Sequence, residues 1–104
     1  MALRCISQVA LASGTPTNIV DGTQVQPLHL RSLLVCERNG ASATFRLWLR
    51  LQSEATADRQ YLYYDLPIVP NDSFTLALDI GMLPGDIMMA QSSTSFVSVN
   101  LFAE

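Results

Sequence analysis

TFRLWLRL, residues 44–51, alternates without a break. Phe45, Leu47, Leu49 and Leu51 share one parity; Thr44, Arg46, Trp48 and Arg50 share the other. Successive side chains of an extended strand point to opposite faces, so a period of two marks a half-buried strand with one apolar face. The same rule holds in SFTLALDI, residues 73–80, where Phe74, Leu76, Leu78 and Ile80 share a face. It holds again in FVSVNLF, residues 96–102, through Val97, Val99 and Leu101.

Weaker segments fill in around these three. LHLRSLLVCE, residues 28–37, is apolar in part on both faces, which suits a central strand packed on two sides. QYLYYDL, residues 60–66, is rich in the aromatics that strands favour. MALRCISQVALASG, residues 1–14, reads as a first strand; Arg4, Ser7 and Gln8 interrupt its apolar patch too early for a signal peptide. Turn chemistry separates the runs. Asn39-Gly40 within RNGAS is a hairpin signal, and VPNDS (69–73) and LPGD (83–86) are turns marked by Pro and Gly. Residues 13–27 form a long polar loop or arm, with at most a short strand near Asn18 to Val20. SEATADRQ, 53–60, is either a helical turn or a polar loop. Seven to eight short strands at this spacing predict an all-β fold: a single antiparallel β-sandwich, jelly-roll-like, spanning residues 1–104.

Asp58, Asp65, Asp72, Asp79 and Asp86 recur every seventh residue. A heptad helix is ruled out by Pro67, Pro70, Gly81, Pro84 and Gly85. An odd step also switches faces along a strand, so strand geometry alone cannot line the aspartates on one surface. Asp72 and Asp86 belong in turns, where Asp caps its own backbone; Asp65 and Asp79 are expected near strand ends. A calcium site gathered from loops is the competing reading.

The 104 residues suit one domain, and about half are apolar, enough for a core. Six arginines, no lysine and nine acids leave a net charge of −3, which offers no electrostatic footprint for nucleic acid and a poor match to anionic membranes. No apolar run reaches the roughly 20 residues of a membrane-spanning helix. Two cysteines, Cys5 and Cys36, are no disulfide framework; they are small buried hydrophobes, or one bridge if their strands are neighbours. His29, the single histidine, reads as a structural or rim residue beside Arg31. No G-x-S-x-G elbow, phosphate-binding glycine loop or zinc spacing is present, so the expectation is a chain without enzymatic activity, cofactor or metal.

The polar parity of residues 44–51 holds Trp48 between Arg46 and Arg50. Trp and Arg are the types enriched at interface hot spots, and Tyr61, Tyr63 and Tyr64 follow nearby. Three readings stand: Trp48 packs inside the domain with the arginines reaching past it; these residues form an interface; or Trp48 and a Tyr make a sugar-stacking platform.

LRSLLVCERNGASATFRLWL, residues 30–49, resembles a pattern of small tailed-bacteriophage virion structural proteins, in which an apolar strand ends in Cys and a polar turn leads to an alternating strand. YLYYDLPIVPNDSFTLALDIGMLPGD and SSTSFVSVNLFAE resemble the later strands and turns of that family, so the likeness covers roughly residues 28–104. Met82, Met88 and Met89 stand where that pattern is more polar, and residues 13–27 have no counterpart in it. Such segments are expected to make contacts particular to this chain. The resemblance implies a virion protein, assembled in the host cytoplasm, that forms a homo-oligomer (a trimer by preference) and contacts the major capsid protein or other virion proteins. A capsid cement or decoration protein is the first expectation. A tail, neck or baseplate component is the alternative, and a carbohydrate- or receptor-binding module of a tail fibre the second. The interface residues expected are Arg46, Trp48, Arg50, Tyr61, Tyr63, Met88 and Met89.

Overall fold

The computed structural model describes residues 3–52 and 54–104. Among these residues lie eight strands: β1 (Arg4–Ala10), β2 (Thr17–Val20), β3 (Leu28–Glu37), β4 (Ala43–Arg50), β5 (Tyr61–Ile68), β6 (Ser73–Met82), β7 (Ile87–Ser92) and β8 (Val97–Ala103). One 3-10 turn, Asp58–Gln60, precedes β5. Two four-stranded antiparallel sheets result, β1-β8-β3-β6 and β2-β7-β4-β5. The ladders β1–β8, β2–β7, β3–β6 and β4–β5 are those of one long hairpin rolled onto itself, which makes the sandwich a jelly roll.

Strand parity fills the space between the sheets. Phe45 and Leu47 of β4 are fully buried, as are Val97, Val99 and Leu101 of β8. In β6, Phe74, Leu76, Leu78, Ile80 and Met82 all turn inward while the residues between them are exposed. Leu51 departs from the expected stripe: it lies past the end of β4 and is exposed.

β3 is central in its sheet, as expected, but it packs on one face only. Leu30 and Leu33 are both fully buried although three residues apart, because the register slips between Leu30 and Ser32 against both neighbours. Arg31 and Ser32 sit in the slip, and Leu28, Leu30, Leu33 and Val35 all reach the core. A bulge of this kind places two residues where the partner has one and switches the parity that follows. The two-sided apolar pattern is therefore two one-sided patterns joined out of phase.

The Asn39-Gly40 turn does not make a hairpin. β3 and β4 lie in different sheets, and the turn carries the chain across the sandwich. Gly40 takes φ +71°, a conformation that glycine adopts without a Cβ penalty. What holds the crossing is Glu37, 2% exposed. Its carboxylate accepts backbone hydrogen bonds from Asn39 (2.9 Å), Gly40 (2.9 Å) and, from the β5–β6 turn, Asn71 (2.8 Å). The Glu37 N–H donates to the Asp72 carbonyl at 2.9 Å. Asn71, itself at φ +56°, is thereby tied to β3. Neighbouring loops join this end: Arg38 N–H donates to the Phe96 carbonyl, and Ser13 Oγ to the Ser93 carbonyl.

The Asn71 N–H foremost, with those of Asn39 and Gly40, holds the Glu37 carboxyl below the ordinary glutamate value of 4.5. A folded-state pKa below the unfolded one gives stability that is present above about pH 4.5 and is lost as pH falls through the folded value. Glu37→Gln is expected to melt several degrees lower at pH 7 and to show a shallower fall in melting temperature on acidification than the parent. Thermal melts from pH 7 to pH 3, followed by circular dichroism, measure both.

Candidate interaction surfaces

The outer face of the β2-β7-β4-β5 sheet carries the aromatic residues that the sequence singles out. Register aligns Asn18, Met89, Trp48 and Tyr61 in one row across the four strands. Trp48 has the parity read from the sequence, outside the main core, yet it is only 1% exposed. Tyr61 leans over it with ring centroids 5.2 Å apart at 48°, and Tyr64 meets Tyr61 edge-on at 4.9 Å. Arg50 closes one flank: its Nε donates to the Glu54 carbonyl at 2.8 Å and its Nη1 to Met89 Sδ at 3.5 Å. The indole Nε1 has no hydrogen-bond partner among the described residues. Trp48 thus packs within its own chain with the arginines reaching past it. As an exposed interface residue it is corrected, and the tilted, covered ring pair is no stacking platform for a sugar.

Met88 and Met89 are corrected in the same way. Met88 is fully buried in the core opposite Leu49, and Met89 is buried beside Trp48. Tyr63 packs half-buried against the core edge. Of the expected interface residues, Arg46, Arg50, Tyr61 and Tyr63 retain partial exposure.

On the other flank of Trp48, Arg46 binds Asp65 through Nε at 2.7 Å and Nη2 at 3.3 Å, and its guanidinium lies 4.0 Å over the Tyr64 ring. The hydrogen bond to Asp65 raises the Arg46 pKa, and the same bond lowers that of Asp65. Asp65 sits inside β5 rather than at its end, at φ +54°, where the ladder slips between Tyr63 and Leu66. Asp tolerates that left-handed conformation better than most residues.

Asp79 also lies within its strand, and its carboxylate meets His29 Nε2 at 2.6 Å and Arg31 Nη1 at 4.0 Å. The other His29 nitrogen, Nδ1, lies 3.8 Å from Glu104, which Arg31 also holds at 3.0 Å. Both imidazole nitrogens are thus directed at carboxylates, the arrangement of a rim histidine. The His29 hydrogen bond lowers the pKa of Asp79. Asp72 caps its own turn through Ser73 N–H. Asp86, 5% exposed, accepts from the Leu83 and Gln52 N–H groups. Asp65, Asp72, Asp79 and Asp86 therefore serve four separate local purposes, and Asp58 opens the 3-10 turn before β5. Among the described residues no group of three His, Cys, Asp or Glu side chains is placed to hold a metal.

Residues 13–27 are not a free arm. They contain β2, and Gln24 Nε2 donates to the carbonyls of Leu83 (3.0 Å) and Asp86 (3.1 Å). Cys5 and Cys36 are both free thiols. β8 lies between their strands, and two strand spacings, about 9–10 Å, exceed the reach of a disulfide.

The surface that the sequence reading missed is the outer face of β1-β8-β3-β6. Register sets three cross-strand rows there: Cys5–Phe102–Ser32–Ala77, Gln8–Asn100–Leu34–Thr75 and Ala10–Ser98–Cys36–Ser73. No charged residue occurs in any of them. Only the register, which joins residues from opposite ends of the chain, brings these side chains together. Comparison with known proteins gives no matching family model and no matching curated relative.

Trp48→Ala removes a large buried side chain that this chain itself encloses, and such truncations cost about 3–5 kcal/mol. Urea denaturation is expected to show a loss of that size. A loss below about 1 kcal/mol would mean that the ring is not enclosed by its own chain.

Proposed function

We propose that the chain is a bacteriophage virion structural protein, specifically a cement or decoration protein that binds the assembled head shell as a homo-oligomer. The observation that carries this reading is a block of three uncharged cross-strand rows on the outer face of the β1-β8-β3-β6 sheet. The solvated face of an antiparallel sheet ordinarily carries polar and charged side chains, whereas the centres of protein–protein interfaces are depleted of charge. Phe102, Leu34 and Cys36, all half-buried, give that face an apolar centre, framed at one end by the charges of Arg31, Asp79 and Glu104 with His29 among them.

The fold supports the reading only in general terms. Jelly rolls serve in viral capsids and equally in lectins and cupins, so architecture alone assigns no role. The lectin-like alternative needs an exposed, coplanar aromatic pair, and the enclosed Trp48 leaves it without that feature. The partners proposed are other copies of this chain and the major capsid protein. A net charge of −3 with no lysine favours protein partners over nucleic acid or an anionic membrane.

Quantitative mass spectrometry of gradient-purified particles of the encoding phage tests the proposal. The chain is expected in tail-less heads at a fixed ratio to the major capsid protein. Recovery in isolated tails alone would replace the cement role with a tail, neck or baseplate role. Expression in infected cells with absence from all particles would overturn the virion reading.

A further inference from the structure

Four strands end the two sheets, and three of them are blunted. β1 carries a register slip between Cys5 and Ser7; β2 has four residues and a slip of its own; β5 slips twice and holds Pro67 and the left-handed Asp65. Slips, prolines and shortness are the devices by which natural sheets keep their edges from pairing with other chains. β6 is the least blunted. It is the longest of the four, ten residues without proline, and its burial alternates strictly from Ser73 to Met82 although one slip sets Leu78 and Asp79 opposite Arg31 of β3. Its single charge, Asp79, is engaged by His29. Beside the free edge, Leu62 (42% exposed), Tyr63, Leu78 and Ile80 line an open cleft between the sheets.

We propose that β6 pairs antiparallel with β6 of a second copy of this chain, about a two-fold axis at Ala77. In this register Phe74 faces Ile80 and Leu76 faces Leu78, so the inner face stays apolar across the junction. On the outer face Ala77 faces Ala77, Ser73 faces Gly81, and Thr75 faces Asp79, which gains a hydroxyl neighbour and meets no second carboxylate. A one-residue shift would set Leu76 opposite Asp79 and turn core positions outward. Moving the axis to Asp79 would oppose two carboxylates. Pairing at Ala77 joins two sheets into one of eight strands and doubles the uncharged block, since Ser73, Thr75 and Ala77 already end its three rows.

This inference deepens the homo-oligomer part of the proposed function and rests on it. It departs from the three-fold assembly that the family resemblance implies, because a two-fold contact closes at two copies. Sedimentation velocity over a concentration series tests it, with circular dichroism melts confirming the fold of each variant. The parent chain is expected to move from monomer to a species of twice the mass. Ala77→Lys, on an exposed position, opposes two like charges at the axis and should abolish that species. A charge pair at one further exposed site gives opposite effects: Thr75→Lys, facing Asp79 of the second copy, should keep or tighten the dimer, and Thr75→Asp should weaken it. A parent monomeric throughout, a trimer without a dimer, or equal dimerisation of Thr75→Lys and Thr75→Asp would overturn the pairing. A trimer bound to heads would do so while leaving the virion reading intact.

Discussion

Two layers of strands share one core when their inward positions are largely apolar, and in this chain strand parity meets that condition through a defect in β3. Leu30 and Leu33 both face the core because Arg31 and Ser32 occupy the register slip. Each such fully buried aliphatic contributes about 1.5–3 kcal/mol relative to exposure. Without the slip, either Leu28 and Leu30 or Leu33 and Val35 would point to solvent, and β3 is the strand that both β6 and β8 pair with. The same slip sends Arg31 outward beside His29, where the two basic groups gather Asp79 and Glu104. One register slip thus serves the core on one face and gathers charges at one end of the other.

Long-range polar contacts then fix how strands from different sheets are joined. Glu37 and Asp86 are both buried carboxylates that accept backbone N–H groups from loops far apart in sequence. Burying a carboxylate is costly unless its lone pairs are satisfied, and here backbone donors satisfy them. Glu37 ties the β3–β4 crossing to the β5–β6 turn. Asp86 ties the β6–β7 turn to Gln52, beyond the end of β4, and its carbonyl receives Gln24 from the β2–β3 segment.

These facts also explain which parts of the fold are legible in the sequence. β4, β6 and β8 read clearly because each is apolar on one parity and polar on the other. β7 is obscure because Met88, Met89 and Ala90 are buried in succession: Met88 and Ala90 in the core, Met89 under its own sheet's outer cover. Asn39-Gly40 misleads because a hairpin signal is local, whereas the choice between pairing and crossing is made by Glu37 with Asn71, 34 residues away. The parity of Trp48 is readable, while its burial stands in the sequence as one of three readings, since Met89 and Tyr61 reach it only through the β7 and β5 ladders. The uncharged block is hidden for a like reason: its rows draw on β1, β8, β3 and β6, and no window of sequence contains two neighbouring members of one row.

The central claim is that β3 pairs with β8 and β6, and not with the strand that follows it across an Asn-Gly turn. Backbone nuclear Overhauser contacts in a labelled sample test this most directly. The jelly roll requires cross-strand contacts of Val35 with Val99 and with Phe74, and of Leu47 with Ala90. A continuous ladder of contacts between residues 30–37 and 43–50 would instead describe a β3–β4 hairpin, and the two-sheet arrangement would be wrong.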